Sequence, residues 1–301
     1  MATEQVALIT GVSGYLGRNL RATVRSTWPE VRVVGLARTA AAAELTVDLL
    51  DPDTLRQTLA SVQPDYVFHL AGTLRAATWT EFYRGSVETT INLLQALSAL
   101  PRPPRVVVAG SAAEYGPVLA ARLPIAEDQV GPGAVSQYGV SKAWQTCASR
   151  FYAAAGLPLM TGRVFNITGR GLPETSAPGT FAAQIRRIRA GQAPPRLQVG
   201  NLDSRRDYLD VTDVCEALIA LAQRGHSGET YNICSGVPTR IRDLLDMMVA
   251  AAGLAVDICT DASRFHAGDI SDSYGSRAKI GAHTGWRPRV ALATSLRAML
   301  E

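Results

Sequence analysis

Residues 6–10 are wholly apolar but for their last member, and they run directly into Gly11-Val-Ser13-Gly14-Tyr15-Leu16-Gly17. A short buried strand, three glycines at three-residue spacing and then an amphipathic stretch specify strand, tight turn and helix in that order. Glycine lets the backbone turn sharply and come close to a ligand, and the last glycine lets the helix pack against the strand. The helix N-terminus that follows carries unpaired N–H groups and suits a pyrophosphate. Gly11, Ser13, Gly14, Tyr15, Leu16 and Gly17 are therefore expected to form the wall of a dinucleotide site.

The rest of the first half repeats the pattern. Apolar runs at 31–37, 66–70, 105–109 and 157–164 alternate with helical patterns at 15–26, 54–60, 78–100 and 137–155. Strands alternating with helices predict an α/β fold with a doubly wound parallel sheet. Beyond Asn166 the rhythm breaks and glycine and proline thicken. We therefore expect a nucleotide-binding domain over 1–165, with returning segments near 205–235. A smaller, interleaved substrate domain is expected over 166–301.

With 47% hydrophobic and 19% charged residues the 301-residue chain can bury a sizeable core. No apolar run reaches the ~20 residues of a membrane span, and no charged leader precedes the first strand, so a cytoplasmic protein is expected. The net charge of +4 is spread over scattered arginines without an aromatic-interleaved basic run, so nucleic acid is not the expected partner. Arg186, Arg187 and Arg189 read as the solvated face of a helix beginning near Thr180. Cys147, Cys215, Cys234 and Cys259 lack metal or disulfide spacing, and all four are expected to be buried thiols with no metal site.

The chain holds two lysines, Lys142 and Lys279, and Lys142 stands four residues after Tyr138. Residues four apart share a helix face, so the ammonium can lie beside the phenol. A nearby cation favours phenolate and is expected to pull the tyrosine down toward an operating pH, as a general acid or base requires. At the end of the second predicted strand, where a carboxylate would hold an unmodified ribose, stands Arg38, which suits a 2′-phosphate and hence NADPH.

The glycine spacing, Tyr138-Gly-Val-Ser-Lys142 and Gly110-Ser111-Ala-Ala113-Glu114-Tyr115-Gly116 resemble the extended short-chain dehydrogenase/reductase superfamily, with its Rossmann-like fold. That resemblance implies catalytic roles for Ser111, Tyr138 and Lys142. Ser111 would orient a carbonyl, Tyr138 would protonate it, and Lys142 would tune the phenol and hold the nicotinamide ribose. It also implies that Asp48 and Leu49 lie near the adenine and that Leu70, Ala71 and Gly72 line the cofactor. Sugar-nucleotide 4,6-dehydratases need a carboxylate two residues before the Tyr-Gly pair; Ala113 stands there, and Glu114 would face the other way.

Arg163-Val-Phe-Asn166, Arg206-Asp207-Tyr208 through Asp213, Tyr231-Asn-Ile-Cys234 and Thr284-Gly-Trp286 extend the resemblance over nearly the whole chain. It is nearest to the GDP-4-keto-6-deoxy-D-mannose reductase family. The resemblance implies NADPH-dependent reduction of the C4 ketone of an NDP-4-keto-6-deoxyhexose, with GDP favoured over dTDP. Substrate contacts are expected from Glu114, Asn166, Arg206 and His266. Two positions depart from relatives: Gly85 where many carry an asparagine, and Arg264-Phe-His266 in a phosphate-binding region. An NAD-dependent 4-epimerase is the second reading and a non-catalytic NADP-binding sensor the third. A homodimer is expected through the helices near 78–100 and 137–155.

Overall fold

The computed structural model describes residues 4–39, 43–129, 133–261 and 270–301. Its first half runs β1 (Gln5–Thr10), α1 (Tyr15–Thr27), β2 (Val31–Ala37), β3 (Leu45–Thr46), α2 (Pro52–Val62), β4 (Tyr66–His69) and α3 (Trp79–Phe82). A π-helical turn at Tyr83–Glu88 leads to α4 (Thr89–Ser98), β5 (Arg105–Ser111), α5 (Gln137–Ala154) and β6 (Leu159–Val164). The second half begins with β7 (Asn166–Thr168), α6 (Ala177–Arg189), β8 (Arg196–Val199), β9 (Arg205–Asp210), α7 (Val211–Arg224) and β10 (Thr230–Ile233). It ends with β11 (Pro238–Arg240), α8 (Ile241–Ala252), β12 (Asp257–Thr260), β13 (Asp272–Ser273), α9 (Ala278–Thr284) and α10 (Leu292–Ala298).

The seven-stranded main sheet has the order β10-β6-β5-β4-β1-β2-β3, and every pairing in it is parallel. Strands buried on both faces alternate their side chains between two cores. Ala7 and Ile9 of β1 join the cluster formed with Leu20 and Val24 of α1 and Val214, Leu218 and Leu221 of α7. Val6 and Leu8 point the other way, to Leu55 and Leu59 of α2 and Leu93, Leu94 and Leu97 of α4. The chain reverses its direction of travel across the sheet at β1, which opens a crevice beyond the C-terminal ends of β1 and β4.

A third core joins α6, α8 and α10 to β8 and β9 through Phe181, Ile185, Leu197, Tyr208, Leu244 and Leu296. There β9 is flanked by antiparallel β11 and parallel β13, and β7 also pairs with it.

The helix expected over 78–100 is three pieces. Thr78 and Glu81 form a reciprocal capping box that starts α3. The chain then widens into the π turn before α4. Gly85 sits in that turn, where a Cβ would lie 1.9 Å from Thr73 Oγ1. The arginine-rich helix starts at Ala177, and its arginines are not a merely solvated face. Arg186 Nη1 donates to Met299 O at 2.6 Å and Arg189 Nη2 to Leu300 O at 2.5 Å, fastening the last residues of the chain. The cysteine expectation also needs correcting: Cys215 and Cys234 are buried, but Cys147 is exposed and Cys259 half-buried.

Candidate active site

Gly11 holds φ +68, and a Cβ there would meet Ala71 N at 2.8 Å, so the first glycine lets the turn press against the chain leaving β4. At Gly17 a Cβ would stand 2.3 Å from Gly11 O, which is why α1 can begin so close to the turn. The resulting groove, ≈ 270 Å³, is lined by Gly11, Ser13, Gly14, Arg38, Asp48, Leu49, Leu70, Ala71 and Gly72. Arg38 is exposed at its mouth. Tyr15, Leu16 and Gly17 stand behind it: Leu16 packs on the α1/α7 core, and the Tyr15 hydroxyl lies against Gly169 of the second lobe. This cradle fits a dinucleotide, because Gly11, Ser13 and Gly14 line open space at the start of α1, whose unpaired N–H groups suit a pyrophosphate.

Next to β4, β5 ends on Ser111, whose hydroxyl accepts from Ala113 N at 3.2 Å and caps a 3₁₀ turn over Ala112–Glu114. Ser136 caps α5 by accepting from Gly139 N at 3.0 Å. A Cβ on Gly139 would stand 2.5 Å from Ala113 O, so glycine lets the first turn of α5 lie against that 3₁₀ turn. This approach brings the Tyr138 phenol beside the Ser111 hydroxyl, which opposes the rise that burial imposes on the phenol.

Lys142 is buried, and its Nζ donates to Ala109 O at 2.9 Å and Gln145 Oε1 at 2.8 Å. An ammonium has three donors, and the groove lies on its remaining side: a Cβ on Gly72 would be 3.4 Å from Nζ. Behind the lysine runs a chain of satisfied polar groups. Gln145 Nε2 donates to Thr90 Oγ1 at 2.7 Å, and Thr90 spends its own proton on Ser86 O at 2.6 Å. His69 Nε2, 2.8 Å from Thr90 Oγ1, must then be the donor, which leaves Nδ1 to accept from Thr10 Oγ1 at 2.8 Å. Thr10 Oγ1 in turn accepts from Ala71 N.

Burial drives the titration of these groups. His69 is pushed down to about 3 by burial and then by the Lys142 charge, so it stays neutral. Lys142 is pushed down to about 8 by burial, against the Glu114 charge. Tyr138 is raised, first by burial, with the Ser111 hydrogen bond opposing and the Glu114 charge adding. The expectation that Lys142 lowers the phenol is thus corrected: burial dominates, and the phenol is held in the protonated form.

Glu114 is buried, contrary to its expected place among the substrate contacts. Its carboxylate is taken up by Ser111 N at 2.9 Å, Thr146 Oγ1 at 2.8 Å and Arg163 Nε at 2.8 Å. A second cavity of ≈ 440 Å³ lies between the start of α6 and β8–β9, and Arg206 lines it with Arg75, Ser176, Thr180, Asn201 and Ser204. Arg206 Nη1 donates to Arg205 O and Ser271 O. Asn166 is exposed outside that lining, its amide donating to Asp207 O at 2.9 Å. His266 and Arg264 lie outside the described residues.

Sequence reasoning passed over Ser86, Thr90, Gln145 and Arg75. Ser86, fully buried behind the groove, accepts from Thr73 N at 3.1 Å and so holds the chain that leaves β4. Arg75 Nη2 donates to Thr175 O at 3.0 Å, bridging the groove wall to the start of α6.

Among known proteins, a GDP-6-deoxy-D-mannose reductase of Pseudomonas aeruginosa is 32% identical over an alignment of 305 residues covering 99% of this chain and 96% of its own. A GDP-6-deoxy-D-talose 4-dehydrogenase of Aggregatibacter actinomycetemcomitans is 26% identical, covering 98% and 95%. The solved structure of RMD from Pseudomonas aeruginosa complexed with NADPH superposes with a TM-score of 0.89 at 30% identity, over 98% of this chain and 97% of that one. Residues 7–234 match the NAD dependent epimerase/dehydratase family. With its seven-stranded parallel sheet, its glycine-lined crevice and these likenesses spanning almost its full length, the chain belongs to that family.

Proposed function

We propose that this chain is an oxidoreductase that uses NADPH to reduce the C4 ketone of an NDP-4-keto-6-deoxyhexose, GDP-linked by preference and dTDP-linked next. One observation carries the reading: the Gly139–Ala113 approach sets Tyr138 beside Ser111, and the buried Lys142 Nζ lies behind Gly72 of the groove. The similar reductase and the similar NADPH-bound structure support it.

NADPH, when bound, supplies hydride to the ketone carbon. Gly11, Gly14, Gly72 and the neighbouring backbone would hold it, with Arg38 at the 2′-phosphate and Asp48 near the adenine. Ser111 donates a hydrogen bond to the ketone oxygen and orients it. Tyr138, protonated at neutral pH, gives its phenolic proton to that oxygen as the alcohol forms. Lys142 stabilises the phenolate left behind. Dehydration is disfavoured, since Ala113 has no titratable group and Glu114 is committed inside the fold. Arg206 and Arg75 line the cavity assigned to the sugar nucleotide, where guanidinium groups suit a diphosphate.

Mixing the protein with NADPH and GDP- or dTDP-4-keto-6-deoxyhexose should consume nicotinamide absorbance, faster than with NADH. No consumption with either sugar, together with interconversion of saturated sugar nucleotides, would favour the 4-epimerase instead.

We assign residues 1–165 with the returning segment to the nucleotide half and most of 166–301 to the sugar half, in a cytoplasmic enzyme. The expected homodimer gains support from aromatic side chains on the two helical segments named for it. Trp79, Tyr83 and Trp144 form an exposed group with ring centroids 6.0 and 6.5 Å apart, and Phe151 is exposed two turns further along α5. Sedimentation equilibrium at micromolar concentration should return twice the chain mass; a single-chain mass would remove the dimer.

A further inference from the structure

Three residues after Ser111 stands a carboxylate withdrawn from solvent. Glu114 has a side chain 2% exposed and its partner Arg163 one 10% exposed, the most deeply buried ion pair among the described residues. Burying two charges costs several kcal/mol each, and an apolar pair of equal volume would often be as stable or more so. The arrangement therefore calls for a role beyond cohesion.

Its connections run to the reacting groups. Oε1 accepts from Ser111 N at 2.9 Å, folding back beneath Gly110, where a Cβ would stand 2.7 Å from that oxygen. Oε2 accepts from Thr146 Oγ1, one helical turn after Lys142, and from Arg163 Nε of β6. One carboxylate thus ties together the end of β5, α5 and β6. We propose that Glu114 is a positioning residue that fixes the Ser111 turn against Tyr138 and, bound to Ser111 N two residues along β5 from the Ala109 carbonyl that holds Lys142 Nζ, supplies the negative charge near that ammonium, a role that rests on the reductase reading above.

The other charged and titratable groups nearby do not substitute for it. Arg163 lies over the Tyr115 ring, 4.5 Å from its centroid, and reaches Glu127 O. Glu127 accepts from Asn232 N. His69, facing Lys142 from β4, is neutral. Among these groups, Glu114 is the charge that acts on both Lys142 and Tyr138. Removing it lowers the Lys142 titration, since nothing then offsets burial, and lowers that of Tyr138 as well.

Because the chain has two lysines, the test can be direct. Full-length protein labelled with 13Cε-lysine gives two resonances, and Lys279→Arg identifies which is Lys142. In Glu114→Gln the Lys142 midpoint should fall by about one pH unit, the size expected on losing a close opposite charge. The alkaline limb of kcat/KM should move down with it. Glu114→Asp keeps the charge but is too short to reach Ser111 N, so its midpoint should stay near the wild-type value while kcat falls. If Glu114→Gln does not fold, Glu114→Gln/Arg163→Met removes the stranded guanidinium and should give the same shift. An unmoved Lys142 midpoint in a folded variant, or an equal displacement in Glu114→Asp, overturns the proposal. The titration needs no turnover, so a wild type that reduces no 4-keto sugar sinks the reductase reading and leaves this result to decide the other.

Discussion

In the proposed reduction Tyr138 would serve as the acid because it keeps its proton. Burial lifts the phenol above its ordinary value, so at neutral pH nearly every molecule carries the form that reduction consumes. Replacing it with phenylalanine should leave NADPH binding intact and lower kcat by ~10²–10⁴-fold, the usual worth of a positioned general acid. Binding by fluorescence and turnover by absorbance separate the two effects; equal losses in both would mean that Tyr138 holds the fold and not the proton. Lys142 sets the opposite limit. Its titration lies at about 8, and kcat/KM reports groups of the free enzyme. Activity should be full below that pH and fall as the ammonium is lost above it, so a kcat/KM profile flat to pH 10 would contradict the assignment. Ser111, Tyr138 and Lys142 were legible because the resemblance rests on short motifs that mark them. Glu114 and His69 were not. Their roles depend on partners 21 to 59 positions away in the chain, such as Thr90, Arg163 and Thr10, and no local spacing encodes those.

Elements meet at the site through particular close approaches. Gly139 is the contact that admits α5 to the end of β5, and its neighbour is backbone, which cannot rotate away. Gly139→Ala should therefore cost about 1–3 kcal/mol by overpacking and also depress kcat, by lifting Tyr138 off Ser111. Chemical denaturation and turnover measured together test this; a stable variant with unchanged kcat would show that the gap closes elsewhere. The glycine turn after β1 was readable for the same reason that it works, since only glycine tolerates its backbone and its spacing is local. The π turn at Tyr83–Glu88 left no such mark. The same apolar periodicity serves an α-helix, and the turn carries the Ser86 hydroxyl that Thr73 N donates to, a contact made across thirteen positions.

At the scale of the molecule, the two lobes are laced together by segments that cross between them. Asp207 of β9, fully buried, accepts from Ser235 N and Gly236 N in the chain that follows β10, and Asp213 of α7 accepts from Arg289 N and Val290 N. Asp207 and Asp213 of the 206–213 block thus pin loops, which their likeness to nucleotide-sugar enzymes did not disclose. Arg186 and Arg189 close the structure by holding the last carbonyls. Changing both to alanine should remove about 0.5–1.5 kcal/mol per bond and lower the thermal midpoint, with turnover at 25 °C retained. An unchanged midpoint would mean that the terminus is held by apolar packing alone. The position of β10 bears on how the protein is made. It completes the main sheet beside β6, although some 65 residues, most of them belonging to the other lobe, intervene. While the ribosome is still adding those residues, the outer rim of β6 has no neighbour, and an uncovered rim invites pairing with another nascent chain. Until Ile233 has left the exit tunnel, newly synthesised copies therefore carry the longer β6, and not the four-residue β10, as that rim of the sheet.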